Sequence, residues 1–131
     1  MAHTLYDYVD AHGVNVMFAW LQSLQIKERT KVTQRFDMLA EHGQELLPLT
    51  LAASGVAGIL KLKTHGSVQL RPLLCRGPAP GDKDTYTLLA GAKEVNSQWE
   101  PKNIRESAAV RKEEVAVDPA NRRISHAQPA K

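Results

Sequence analysis

The sequence has 131 residues, of which 43% are hydrophobic and 24% are charged. This length fits one domain spanning residues 1–131, and the composition excludes collagen-like, coiled-coil and wholly disordered chains. The 17 basic residues exceed the 14 acidic ones by a net charge of +3, which permits a nucleic-acid partner without requiring one.

The cysteine and histidine content limits the chemistry of the chain. A single cysteine, Cys75, excludes an internal disulfide and indicates a reducing compartment. The histidines show no metal-ligand spacing, so we expect no metal site. No signal-peptide core or apolar run of membrane-spanning length occurs, which predicts a cytoplasmic protein without a membrane partner.

The first half of the chain predicts helices. Residues 5–9 are ambiguous between a short strand and a turn. Residues 14–24 and 27–42 place apolar side chains at helical spacing, and Gly43 supplies a left-handed stop. Because the connection between the two helices is short, we expect an antiparallel helical hairpin.

After residue 58 the hydrophobic period changes to two, which is typical of strands. Residues 59–63 and 68–75 predict a pair of strands around a turn at 64–67. Pro72 cannot donate to a ladder and therefore implies a bulge or a sheet edge. Residues 85–90 are more continuously apolar and predict a strand at the centre of a small sheet.

The last segment predicts a helix and a tail. Pro101 is expected in the first turn of a helix that runs to about Val117 and ends before Pro119. Residues 120–131 are predicted to be a basic, partly flexible tail. The fold class is therefore α+β, with an N-terminal helical hairpin packed on a mostly antiparallel sheet of three to four strands and a C-terminal helix.

Positive charge is concentrated in the middle of the chain. Residues 55–81 contain Lys61, Lys63, Arg71 and Arg76 and no acidic residue. Strand alternation places the two lysines on one face, and the predicted hairpin brings Arg71 beside them. Three converging cations can hold the phosphates of a single nucleic-acid strand. The alternative is a solvated hairpin whose charges discourage edge pairing.

Several other side chains have both a functional and a structural interpretation. His126 and His65 are candidates for proton transfer in phosphodiester cleavage, or are solvated surface histidines. Trp99 either stacks on a base or packs at the start of the last helix. Cys75 is expected to be a buried thiol rather than a nucleophile. The RNA-binding residues suggested by the sequence are Arg76, Trp99, Arg122 and Arg123.

The order of these elements resembles the RelE/ParE superfamily of bacterial toxins, closest to its HigB-like branch and the phage-encoded members of that branch. The matching segments look like the helical hairpin, two successive long strands, and a strand, connector and helix ending of the family. These segments are residues 16–24, 38–43, 58–63, 69–74 and 87–101, with Arg111 and Lys112 in the final helix.

The resemblance implies a toxin of a type II toxin–antitoxin system. Such a toxin would be a metal-independent endoribonuclease that cleaves mRNA at the ribosome and inhibits translation, without a cofactor. Its partners would be mRNA and a cognate antitoxin. The alternatives are a non-catalytic ParE-like toxin that binds a host protein and a phage-derived RNA-binding accessory protein.

The resemblance also assigns residues. Lys61 and Lys63 match paired strand lysines of the family, and Arg71 matches the arginine of the next strand. Lys93 falls where a basic residue usually follows the third strand. Trp99 stands where several members have a catalytic tyrosine or histidine, and an indole cannot transfer a proton at neutral pH. With His126 as the candidate for that role, the expected catalytic set is Lys61, Lys63, Arg71, Lys93 and His126.

Overall fold

A computed structural model of the protein describes residues 3–66 and 68–126. Its helices are α1 (Val16–Ser23), α2 (Ile26–His42), α3 (Ile104–Val117) and α4 (Pro119–Arg122), with a 3-10 helix at Gly43–Leu46. Its strands are β1 (Thr4–Tyr8), β2 (Leu51–Ala53), β3 (Leu60–Leu62), β4 (Gln69–Leu70), β5 (Leu73–Arg76), β6 (Thr85–Ala90), β7 (Lys93–Val95), β8 (Gln98–Glu100) and β9 (Arg123–Ser125). None of the helices in these residues is long and apolar enough to cross a bilayer.

Six of the strands form the main sheet, in the order β2, β3, β5, β6, β1, β9. Only β1 and β6 run parallel, and every other neighbouring pair in this sheet is antiparallel. All six residues of β6 are buried, because strands flank β6 on both sides and a core covers each face of the sheet. The predicted central strand at residues 85–90 is therefore confirmed.

Helices cover both faces of this sheet. The apolar residues of β5 alternate between two cores, with Leu74 facing α1 and α2 and with Leu73 and Cys75 facing α3, as the side-chain period of a strand requires. The apolar residues at helical spacing in α2 and α3 are buried; they are Val32, Phe36 and Leu39, and Ile104, Ala108 and Val115. In α1 the buried residues are Met17 and Leu21, and Leu24 directly after the helix is also buried, whereas Val14, at the start of the predicted helix at 14–24, is exposed.

A second, small sheet continues the central pair of strands beyond a bend. Strands β4, β7 and β8 form it, and β4 leads into β5 as β6 leads into β7. At the bend the Arg71 N–H donates to the Ala92 carbonyl at 2.8 Å, and Pro72 offers no N–H. The predicted strand at 68–75 is thus divided at Pro72, as the proline indicated.

The class α+β holds, but the finer prediction of a helical hairpin on three to four strands was wrong. A strand, β1, precedes the helices, and the main sheet has six strands. Helix α3 begins at Ile104 rather than Pro101, and Pro119 begins α4. The predicted tail forms α4 and β9 up to Ser125 because β1 offers it an open edge. Residues 127–131 of that tail lie outside the described residues.

Trp20 and Gly91 fix the position of the bend. A Cβ placed on Gly91 would lie 1.9 Å from the Cδ2 atom of Trp20, so the indole rests directly on the glycine backbone. The ring also packs against the core on the α1 side. Only glycine permits this approach, and the chain therefore turns from β6 into β7 beneath Trp20.

We predict that Gly91→Ala destabilises the protein by about 1–3 kcal/mol, the usual cost of overpacking a filled site. Urea unfolding measures the change. In a Trp20→Ala background the same glycine substitution should cost much less, because the clash partner is gone. Equal costs in the two backgrounds would contradict this account of the bend.

Candidate functional site

A single carboxylate connects the two sheets at the bend. Oε1 of Glu94 accepts hydrogen bonds from Lys61 Nζ at 3.0 Å and from Arg71 Nε at 2.8 Å. Glu94 lies on β7, Lys61 on β3 and Arg71 between β4 and β5. The side chains are 17%, 17% and 9% exposed, respectively. The structure thus brings Lys61 and Arg71 together, and an acid from outside the basic segment joins them.

Trp99 stands beside this carboxylate because of a tight hairpin. Asn96 and Ser97 both have positive φ, at 51° and 66°, which is the conformation of a two-residue type I′ turn. The turn pairs β7 with β8 so that Trp99 lies opposite Glu94. Lys61 Nζ is 5.3 Å from the centroid of the Trp99 ring, within the range of cation–π attraction.

Arg105 of α3 approaches the same ring. Its guanidinium carbon is 5.2 Å from the ring centroid, and its Nη1 donates to the Ser54 carbonyl at 2.9 Å. Its Nε is buried and has no hydrogen-bond partner among the described residues. We call the residues Lys61, Arg71, Glu94, Trp99 and Arg105 the Glu94 cluster. It combines three cations, one carboxylate and one aromatic ring.

The cations of the cluster determine the protonation state of Glu94. Burial raises the pKa of Glu94, but hydrogen bonds from Lys61 and Arg71, together with their charges, outweigh it, so the pKa lies below its usual value. Glu94 is therefore ionised at neutral pH. Because the cluster holds three cations and one anion, it keeps a positive excess that the Glu94 carboxylate only partly offsets.

Arg71 is fixed more firmly than its neighbours. Besides Glu94, its guanidinium donates to the Thr64 and Leu70 carbonyls and to Oε1 of Gln69, each at 3.0 Å. These contacts hold the charge in a constant position beneath the bend. Lys61 has no second hydrogen-bond partner in the described chain, so its flexible ammonium is the more adaptable of the two cations.

The other two lysines of the expected catalytic set lie near the cluster but outside it. Lys63 follows β3 directly and is half-buried. Lys93 precedes Glu94 on β7 and pairs with Leu70 and Glu100. Successive side chains of a strand point to opposite faces, so Lys93 lies on the face of β7 away from Glu94.

His126 lies at the far edge of the main sheet. Its Nδ1 is 2.8 Å from Oδ1 of the buried Asp7, and Oδ2 of the same carboxylate accepts from Asn15 Nδ2 at 2.9 Å. The His126 ring packs edge-on against Phe36. Four strand spacings, about 19 Å, separate β3 from β9. His126 also faces α2, whereas Lys61 faces the α3 side. The pairing of β9 with β1 therefore holds His126 where it cannot act on the same phosphate as Lys61.

The predicted RNA-binding arginines are likewise dispersed. Arg123 donates to both carboxylate oxygens of Asp82, at 2.7 and 2.9 Å, and stacks on the Tyr6 ring. Arg122 ends α4. Arg76 ends β5 and lines a cavity of about 340 Å³ with His3 and Tyr86. Of the four suggested residues, only Trp99 belongs to the Glu94 cluster.

Two further predictions concern isolated side chains. Cys75 is fully buried, and burial raises the pKa of its thiol to about 12, which confirms the expectation of an unreactive cysteine. His65 is exposed, and its carbonyl accepts a hydrogen bond from Lys31. Within residues 3–66 and 68–126, no group of three or more His, Cys, Asp or Glu side chains is placed to hold a metal ion.

No family model matches this chain, and no curated protein matches it. The functional argument therefore depends on the chemistry of the residues.

Sequence reasoning missed two members of the cluster. Neither Glu94 nor Arg105 was assigned a functional role from the sequence. The one available signal was Asn96, a residue that tolerates positive φ and thereby marks a hairpin turn between two short strands. Recognising that hairpin would have paired Glu94 with Trp99.

We predict that Glu94→Gln lowers the free energy of unfolding by about 1–2 kcal/mol at neutral pH, because the two cationic donors then face a neutral amide instead of a carboxylate. The low pKa of Glu94 means that its contribution is complete above the usual glutamate pKa and is lost as the pH falls through its lowered value. The wild type should therefore lose more stability than Glu94→Gln between about pH 7 and about pH 3.

Urea unfolding at both pH values tests this prediction. Glu41→Gln, a change at an exposed glutamate of α2, is the matched control and should behave like the wild type. If Glu94→Gln and the wild type lose the same stability on acidification, the ion pairs do not contribute as described.

Proposed function

We propose that this protein is an RNA-cleaving toxin of the RelE/ParE superfamily, HigB-like, belonging to a type II toxin–antitoxin system and acting on mRNA at the ribosome. The observation that carries the proposal is the carboxylate of Glu94 shared by Lys61 and Arg71 beside Trp99. This arrangement supplies a base, fixed positive charge and a stacking surface in one place.

RNA binding follows from the composition of the cluster. A phosphate that approaches Lys61 and Arg71 replaces part of the interaction that these cations make with Glu94. Arg105 adds a third cation beside the Trp99 ring. An aromatic ring next to cations suits a base and its adjacent phosphate, and stacking of this kind is worth about 1–3 kcal/mol per base.

Cleavage uses the same residues without a metal. The Glu94 carboxylate takes the proton of the 2′-hydroxyl, and the 2′-oxygen attacks the adjacent phosphorus. The bond from phosphorus to the 5′-oxygen breaks, which leaves a 2′,3′-cyclic phosphate and a 5′-hydroxyl. Of the two cations on Glu94, only Lys61 can supply the proton that the leaving oxygen takes up, because a guanidinium stays charged.

The fixed charge of Arg71 stabilises the transition state. Negative charge accumulates on the phosphate oxygens when the 2′-oxygen attacks, and a cation held in place by several carbonyls needs no reorganisation to meet it. The position of Arg71 is set by three acceptors besides Glu94. Lys61 and Glu94 then carry the proton transfers, and Arg71 carries the charge.

The RNA-binding accessory protein is the alternative, favoured by the low exposure of Arg71 and by its many structural hydrogen bonds. In that case the cluster binds RNA and cuts nothing. Incubation with RNA distinguishes the two functions, because only the nuclease yields cleavage products.

We predict that the purified protein cleaves single-stranded RNA in EDTA and leaves 2′,3′-cyclic phosphate ends. Glu94→Gln and Lys61→Met should each lower the cleavage rate by about 100-fold or more, since each removes a proton-transfer group. Glu41→Gln should cleave at the wild-type rate. Gel separation of end-labelled RNA measures the products, and thermal melting verifies that each variant is folded.

If free RNA is not cut, the same reaction is run with translating ribosomes. Binding without cleavage in both reactions would refute the nuclease and support the accessory protein. Absence of both binding and cleavage would refute any RNA function of the cluster.

A further inference from the structure

A second group of cations lies next to the Glu94 cluster, on helix α2. Lys27, Lys31 and Arg35 follow one another at intervals of four residues, so their side chains share one face of the helix. At 1.5 Å per residue the face extends for about 12 Å. Lys27 and Lys31 are exposed and Arg35 is half-buried. We call these three residues the basic face of α2.

The turn after β3 connects this face to the cluster. Three cationic side chains donate to three successive carbonyls of the turn: Arg35 Nε to Lys63 at 2.9 Å, Arg71 Nη1 to Thr64 at 3.0 Å, and Lys31 Nζ to His65 at 2.9 Å. Two of the donors belong to the basic face and the third to the Glu94 cluster. The two groups are thus neighbours across one short stretch of backbone.

Within the part of the chain that the structure describes, nearby acids do not pair with the cations of the basic face of α2 or with Lys63. In the described ranges, none of Lys27, Lys31, Arg35 and Lys63 takes part in an ion pair. The nearest acid on the helix, Glu28, accepts the Gln25 N–H in the capping box that begins α2. These cations remain available to an anionic partner, unlike Arg123, which a carboxylate already binds.

We propose that the basic face of α2, together with Lys63, is a second phosphate-binding subsite for the RNA strand that occupies the Glu94 cluster. This inference rests on the proposed RNA function and extends it. A strand whose scissile phosphate lies at Lys61 and Arg71 passes over the turn at residues 63–65 and continues along α2. The subsite contacts phosphates, so it contributes affinity without reading sequence.

The subsite predicts that affinity depends on RNA length. An RNA of about four nucleotides fills the cluster alone, whereas one of about twelve nucleotides also reaches α2. Each phosphate contact on a single strand makes the slope of log K against log salt concentration steeper by about 0.7. Loss of two contacts should therefore weaken binding of the long RNA by about 10- to 30-fold at about 0.1 M salt and leave the short RNA unaffected.

Fluorescence anisotropy with the full chain and both RNAs tests the proposal. The variant is Lys27→Ala with Lys31→Ala, and Lys83→Ala is the control because Lys83 is exposed before the opposite end of β6. We expect the double variant to bind the long RNA more weakly, with a slope of log K against log salt concentration that is less steep by about 1.4. Its binding of the short RNA should be unchanged. Lys83→Ala should bind both RNAs like the wild type.

Three outcomes would overturn the subsite. If the double variant binds the long RNA like the wild type, or loses both RNAs equally, α2 is not a separate subsite. If, with labelled poly-L-glutamate as a third probe in the same assay, the double variant loses affinity for that polymer and not for RNA, the face binds acidic protein instead. Failure of RNA binding at the cluster is distinguishable, because the wild type would then bind neither RNA, and failure of the nuclease alone shows as binding of both RNAs without cleavage.

Discussion

The shared carboxylate of Glu94 is the interaction on which the site depends. It joins a lysine from the main sheet, an arginine from the bend and a tryptophan-bearing hairpin, and it lies where the central strands turn away from the sheet. Arg71 is almost fully buried, and a buried guanidinium needs an anion and several acceptors to offset its lost hydration. The need to satisfy Arg71 therefore orders the turn, the bend and the hairpin together.

The same ion pairs serve both the fold and the proposed reaction. Three of the four hydrogen bonds of the Arg71 guanidinium go to acceptors other than Glu94 and fix its position, whereas Lys61 has only Glu94 and the Trp99 ring as partners among the described residues. In the proposed reaction, an incoming phosphate competes with Glu94 for the two cations and releases the carboxylate as a base. The ion pair of Glu94 and Lys61 then becomes the proposed base and acid.

The sequence could predict the parts of the fold that have long, regular patterns. The buried residues of α2 and α3 and the bounds of β6 follow from helical and strand periods that extend over several turns or residues. The strands β2, β4, β7, β8 and β9 have two to three residues each, too few to show a period. Their existence depends on pairing with distant partners, such as the open edge of β1 for β9.

The candidate site was predicted only in part, for a related reason. Counting charge along residues 55–81 identified Lys61 and Arg71 correctly as neighbours. Their counter-ion lies 33 and 23 residues further along the chain, so a local count could not include it. His126 had the appropriate chemistry, but pairing of β9 with β1 places it at the opposite edge of the sheet. Proximity in space, which decides catalysis, was not encoded in local composition.

The central claim is that RNA binds at the Glu94 cluster, and the two tryptophans of the chain offer a direct test. The indole N–H signals of Trp99 and Trp20, assigned with Trp20→Phe, can be followed by NMR during titration with a short single-stranded RNA. The account predicts a large, saturable shift of the Trp99 signal and little change at Trp20. A Trp99 signal that stays in place while signals around His126 move would contradict it.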